Sequence, residues 1–170
     1  MDFNDITFRK FARPDDVEAV EKIMKSTGFF EAVFDEIDSG KADVSEIIKN
    51  PDGEEKIIFA EVGGVPRAFA VFGRECCCDA LVYMSWICVD NSLRGMGLGK
   101  KLMAEVLADV WGAGARKLLL QTSGRPQYAP TRAFYEKLGF KREAEIADYY
   151  TAGESSVFYS IYNPAFAKKS

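Results

Sequence analysis

The sequence predicts a mixed α/β fold, a mostly antiparallel sheet flanked by helices, in one domain spanning residues 1–170. Three observations predict it. Short alternating or apolar runs interleave with amphipathic helical stretches. A Gly63-Gly64 pair joins two of those runs as a hairpin turn would. Arg94 to Lys100 form a glycine-rich turn that leads from a strand straight into a helix. The 170 residues are 48% hydrophobic and 13% aromatic, enough to bury a core, and no repeat, low-complexity tract or long linker divides them.

Taken in order, Ile6 and Phe8 alternate with Thr7 and Arg9 and predict a first, half-buried strand. Pro14, Asp15 and Asp16 suit the opening turn of a helix, whose stripe is Val17, Val20, Ile23 and Met24 and whose stop is Gly28. A second helix is expected near 30–37 and a short third one around 44–49, before the turn signal Asn50-Pro51-Asp52-Gly53. Strands are expected over 57–62, 65–72 and 80–89, with a turn near 76–79. The helix after the glycine turn carries Leu98, Leu102, Met103, Val106, Leu107, Val110 and Trp111 at helical spacing, and Gly112 and Gly114 close it. A buried strand over 117–122, a short helix over 131–138 stopped by Gly139, and strands near 142–148 and 156–162 complete the order.

Composition excludes several classes. Against 26 acidic side chains stand 22 basic ones, a net charge of −4, which argues against a nucleic-acid partner while leaving room for a local basic pocket. Met1 to Asp5 show no basic segment followed by an apolar one, and no apolar run approaches the roughly 18 residues of a membrane span. The expectation is therefore a cytoplasmic chain with no membrane partner, a compartment that also suits its free thiols. Cys76, Cys77 and Cys78 are adjacent and cannot all face one ion, so they read as a hairpin turn, and Cys88 reads as a small strand hydrophobe. The chain contains no histidine and no Cys-x-x-Cys pair, so no metal site is expected and any chemistry runs without imidazole. Trp86 and Trp111 read as core.

The richest stretch is Arg94-Gly95-Met96-Gly97-Leu98-Gly99-Lys100. Glycines at alternate positions leave backbone amides unshielded, and the helix beginning there adds its own free amides and positive dipole end. Arg94 and Lys100 add full charges, so a pyrophosphate is the expected guest. The dinucleotide fingerprint Gly-x-Gly-x-x-Gly fails, because its last position falls on Lys100. The P-loop pattern fails as well, with Arg94 at its first glycine and Lys101 at its Ser/Thr. What fits is Arg-x-x-Gly-x-Gly, on Arg94, Gly97 and Gly99.

That loop resembles the acetyl-CoA pyrophosphate loop of the GNAT superfamily of N-acetyltransferases. A second stretch agrees: Phe134-Tyr135-Glu136-Lys137-Leu138-Gly139-Phe140 is similar to the family's Phe-Tyr-x-Lys-x-Gly-Phe helix, although Tyr128 and Thr131 stand where Asn and Ala are expected. The resemblance covers roughly residues 5–162 and implies a GNAT-like fold that binds acetyl-CoA. It implies cofactor contacts from Arg94, Gly95, Met96, Gly97, Leu98, Gly99 and Lys100 around the pyrophosphate. It implies further contacts from Ile87, Cys88 and Val89 along the pantetheine arm, and from Thr131.

Acetyl transfer needs a neutral amine, an acyl group held beside it, charge stabilisation at the carbonyl and a proton for the departing thiolate. A phenol of pKa about 10 can hand its proton to a thiolate of pKa near 8.5, and the resemblance gives that task to Tyr135. Many relatives carry a glutamate on the central strand, but residues 80–89 hold no acid. Either Ser85 and Tyr83, on one strand face, order a proton-carrying water, or no side chain serves as base. Tyr149, Tyr150, Tyr128 and Arg125 are expected in loops that line the acceptor pocket, together with Tyr83.

The expected function is direct acetyl transfer, in a ternary complex, to a small-molecule or peptide amine; a homodimer is compatible with it. The alternative is a non-catalytic acyl-CoA-binding module on the same fold, which the missing acid favours and Tyr135 opposes. A ligand-free interaction domain would leave Arg94, Gly97, Gly99 and Lys100 without a purpose. Fold resemblance does not choose the acceptor.

Overall fold

The computed structural model describes residues 5–30 and 36–166. Among these residues four helices, α1 (Asp16–Ser26), α2 (Glu36–Lys49), α3 (Leu98–Gly112) and α4 (Ala129–Lys137), accompany seven strands. The strands are β1 (Ile6–Arg9), β2 (Glu55–Val62), β3 (Val65–Arg74), β4 (Leu81–Val89), β5 (Lys117–Ser123), β6 (Lys141–Thr151) and β7 (Glu154–Tyr162). They form one sheet in the order β1-β2-β3-β4-β5-β7-β6, with β4 and β5 parallel and the β1–β2, β2–β3, β5–β7 and β6–β7 ladders antiparallel. The predicted mixed, mostly antiparallel α/β class is what the chain adopts. It divides into two compact units, Met1–Gly73 with Trp86–Asp109, and Arg74–Ser85 with Val110–Ser170.

In the first unit, Val20, Ile23 and Met24 of α1 and Val44 and Ile47 of α2 bury against Ile57, Phe59, Phe69 and Val71 of β2 and β3. Each such side chain contributes about 1.5–3 kcal/mol of burial. Sequence spacing predicted two helices near 30–37 and 44–49, and the structure corrects this: α2 runs unbroken from Glu36 to Lys49, while residues 31–35 lie outside the described part. Gly40 suggests a break but serves contact, because a Cβ there would stand 2.6 Å from Met24 Sδ. Gly63 and Gly64, at φ 58° and 76°, make the expected hairpin turn, whose geometry demands positive φ at both positions.

The alternation across β1 predicted Arg9 in solvent. It is instead 6% exposed. Its guanidinium donates to both Asp16 carboxylate oxygens at 2.8 and 2.7 Å and to Glu61 Oε1 at 2.7 Å, and lies 4.5 Å over the Phe59 ring. A charge this deep persists only when so paired.

In the second unit, β5 pairs with β4 over Leu81–Met84 and with β7 along its whole length. Tyr135 of α4 packs its ring against Phe134, Phe140 and Tyr159 at centroid distances of 5.4–5.8 Å. The last hairpin corrects another expectation, since β6 continues to Thr151 and Tyr149 and Tyr150 are strand residues. Lys141 to Tyr149 are all exposed along this edge strand, whose pairing is broken by two irregularities in register; such bulges and edge charges discourage unwanted strand pairing.

Candidate active site

In the first unit, β4 ends in a 3-10 turn, Asn91–Leu93, that delivers the chain to the glycine loop. Asp90 sets this turn. Its Oδ1 accepts from the Ser92 amide at 2.9 Å and the Ser92 hydroxyl at 2.7 Å, and its Oδ2 pairs with Arg67 at 2.8 Å. Burial works against this carboxylate, but the bonds from Ser92 and Arg67 prevail and hold it below its ordinary range. Asp90 is thus committed to the turn. The Asn91 amide also donates to Ser26 Oγ at 3.1 Å, which ties the turn to the end of α1.

Beyond the turn, Gly95 and Gly97 adopt φ of 75° and 87°, the left-handed region that glycine alone enters freely. Nothing lies within 4 Å of where a Cβ on either would be, so the backbone face is open to a ligand. The Gly97 carbonyl accepts from the Lys101 amide at 3.1 Å as α3 begins. Arg94, Gly95, Met96, Gly97 and Lys100 are exposed and Gly99 is half-buried, whereas the Leu98 side chain, 1% exposed, turns into the core and leaves only its backbone for a ligand. Arg94 lies 4.3 Å over the Phe29 ring.

On the same unit's part of β4, Ile87 and Val89 are half-buried, and Cys88 faces the core. Burial, outweighing nearby Arg94, pushes the Cys88 thiol up to about 12, so it holds almost no thiolate at neutral pH. Trp86, expected in the core, is only half-buried; its indole N–H donates to Asp43 Oδ2 at 2.6 Å, and its ring meets the edge of Phe30.

The second unit brings three predicted tyrosines together. Tyr149 and Tyr150 meet edge to face at 5.0 Å, and Tyr149 also meets Phe158 at 6.0 Å. Burial, then the neighbouring Tyr150, Tyr149 and Glu75, push the Tyr83 hydroxyl above the ordinary phenol range, so it stays protonated at neutral pH. Ser85 is exposed, one residue past the end of the β4–β5 ladder. Thr131 is half-buried in the first turn of α4. Tyr128 immediately precedes that helix, which starts two residues earlier than predicted because Pro130 is tolerated in a first turn. Tyr135 is 4% exposed.

Arg125 does not stand beside these tyrosines as a free cation. Its guanidinium forms an ion pair with the buried Glu154, which also accepts from Ser123 Oγ at 2.8 Å. Sequence reading missed Ser123 and Glu154, which lie 31 residues apart and leave no local pattern, and it missed Asp43, 43 residues from Trp86, for the same reason; it also missed Arg132, whose partners are backbone carbonyls 9 and 7 residues away. Among the described residues no group of three or more metal-ligating side chains gathers, and no described helix is long and apolar enough to cross a membrane.

Residues 53–142, which include the turn, the glycine loop and the Phe-Tyr helix, match the acetyltransferase (GNAT) domain family. The chain belongs to the GNAT acetyltransferase family. A GNAT-family protein from Desulfovibrio desulfuricans is 34% identical, with a TM-score of 0.85 over 92% of this chain and 98% of that one. A Salmonella typhimurium protein solved with its cofactor acetyl-CoA shares the fold at 20% identity and a TM-score of 0.74, over 94% of each chain. N-alpha-acetyltransferase 30 of Schizosaccharomyces pombe is 30% identical over 80 residues, 47% of this chain and 52% of that protein. The matched stretch therefore spans about half the length of that relative.

Proposed function

We propose that this chain transfers an acetyl group from acetyl-CoA directly to an amine acceptor. The observation that carries the reading is the open backbone at Gly95 and Gly97, flanked by Arg94 and Lys100 at the start of α3. Convergent amides, a helix N-terminus and two cations suit a pyrophosphate. The pantetheine arm then lies along the Ile87–Val89 backbone, where a strand amide polarises the thioester carbonyl, and Thr131 makes a further contact.

Tyr135 is the general acid. The amine nitrogen attacks the thioester carbon, the C–S bond breaks, and the phenol proton passes to the leaving thiolate. Such a contribution is worth roughly 10²–10⁴ in rate. Tyr83, held protonated, donates hydrogen bonds and does not remove the amine proton; with Ser85 it orders the water through which that proton reaches solvent. Tyr83, Tyr149 and Tyr150 form an aromatic wall for the acceptor, and Tyr128 borders it. Arg125, already paired with Glu154, is poorly suited to holding an acidic acceptor group.

One observation favours a second reading, an acyl-CoA-binding module without catalysis: no residue of β4 is an acid, and Asp90 is spent on its turn. CoA release from acetyl-CoA, measured against amino acids, polyamines, aminoglycosides and short peptides with free N-termini, separates the two. Acetyltransfer predicts amine-dependent release that Tyr135→Phe slows by roughly 10²–10⁴-fold at unchanged acetyl-CoA affinity. The substitution keeps the ring that packs on Phe140 and Tyr159. Tight acetyl-CoA binding with no release for any amine leaves the binding module.

A further inference from the structure

The polar side chains where β7 begins have no part in the chemistry above. Glu154, the first residue of β7, is 7% exposed. Its Oε1 accepts from Ser123 Oγ at 2.8 Å, and its Oε2 is ion-paired with the Arg125 guanidinium. Ser123 Oγ accepts in turn from the Arg125 amide at 3.1 Å. Arg132, on α4, donates to the carbonyls of Ser123 at 2.7 Å and Arg125 at 3.0 Å. The Gly124 amide donates to the Ser155 carbonyl at 2.8 Å, and a Cβ on Gly124 would come within 2.0 Å of Ser155 Oγ.

These bonds tie together three segments of the second unit: the end of β5, the connection from β5 to α4, and the strand that follows the Tyr149–Tyr150 hairpin. A carboxylate buried this deeply costs several kcal/mol of desolvation, and apolar packing commonly stabilises a fold as well as a buried ion pair does. What apolar packing lacks is direction. Five hydrogen bonds and an ion pair fix both the path of the connection and the place where α4 starts.

We propose that Glu154 is a positioning residue, holding the β5–α4 connection so that α4 presents Thr131 and Tyr135 to the acyl end of acetyl-CoA. This rests on the acetyl-CoA reading above. Without the carboxylate, Arg125 loses its partner and the Ser123 hydroxyl its acceptor. The two carbonyls that anchor Arg132 then shift, and α4 shifts with them.

The test compares two probes on the full chain: acetyl-CoA, and 3′-phosphoadenosine 5′-diphosphate, which keeps the pyrophosphate and lacks the pantetheine arm. Glu154→Ala is expected to weaken acetyl-CoA about tenfold, the scale of one lost charge-assisted bond, and to leave the nucleotide affinity unchanged. Glu154→Gln, which still accepts from Ser123, restores part of the loss. Ser123→Ala removes one hydroxyl, is expected to cost about threefold on acetyl-CoA alone, and carries the same comparison if Glu154→Ala does not fold. Unchanged binding of both probes, or an equal loss of both, overturns the proposal; an equal loss marks a merely structural residue. Failure of the wild type to bind acetyl-CoA is seen before any variant is compared, and removes the acetyl-CoA reading itself.

Discussion

The Arg94 guanidinium lies 4.3 Å over the ring of Phe29, three residues past the end of α1. With the Asn91 amide bonded to Ser26 Oγ, the loop proposed to hold the pyrophosphate is anchored to the C-terminal end of α1 at two points. Phe29→Leu keeps the apolar bulk and removes the π face, worth about 0.5–1 kcal/mol at such a site. Acetyl-CoA affinity is expected to fall about two- to fivefold by calorimetric titration, and Arg94→Ala should make the second substitution silent.

Asp90 gives the loop a pH dependence with a definite sign. Its pKa in the folded chain is depressed, so its contribution is full above the unfolded value of about 3.9 and is lost as pH falls through the folded value. Asp90→Asn should cost about 1–2 kcal/mol at pH 7, reduced by partial exposure, with the difference from wild type closing below about pH 4. Urea melts of both chains at pH 7 and pH 3 check it; a deficit equal at both values would contradict the assignment.

Cysteine labelling separates the four thiols. Cys76, Cys77 and Cys78 are exposed and Cys88 is buried. Iodoacetamide at pH 8 should add three groups to the native protein and a fourth only after denaturation, read by mass. Rapid modification of Cys88 in the native state would contradict its burial and the raised pKa that burial imposes.

Arg9 illustrates where pattern reading goes wrong. Alternation placed it in solvent, yet Asp16 and Glu61 sequester it at a depth only paired charges tolerate. Arg9→Met fits the space but strands two carboxylates, and a loss of about 3–5 kcal/mol in chemical denaturation is expected. Replacing all three residues with apolar ones of similar volume should recover most of it.

The same distinction runs through the whole chain. Local periodicity and turn chemistry gave the strands, the Gly63-Gly64 hairpin and the glycine loop, because each depends on neighbours a few residues away. The unbroken α2 was missed because Gly40 within it serves contact with Met24 on another helix, and the far end of β6 because Tyr149 meets Phe158 across the hairpin. In the candidate site, Arg94, Gly97 and Tyr135 were legible from motif spacing. Glu154, Ser123 and Asp43 were not, since their partners come from distant sequence and only folding brings them together.

The central claim is that the glycine loop binds acetyl-CoA, and a thermal melt of wild type and Gly97→Glu with acetyl-CoA, CoA or NAD tests it most directly. At a hundred times its dissociation constant a ligand adds about 2.7 kcal/mol to the native state, a shift of several degrees. Glutamate at a φ of 87° is itself strained, so the comparison is of ligand-induced shifts and not of melting points. Stabilisation of the wild type by acetyl-CoA and CoA, none by NAD, and none of the variant by any of the three is the predicted result. A wild type that responds to neither acetyl-CoA nor CoA, or a variant that responds as fully as the wild type, would contradict it.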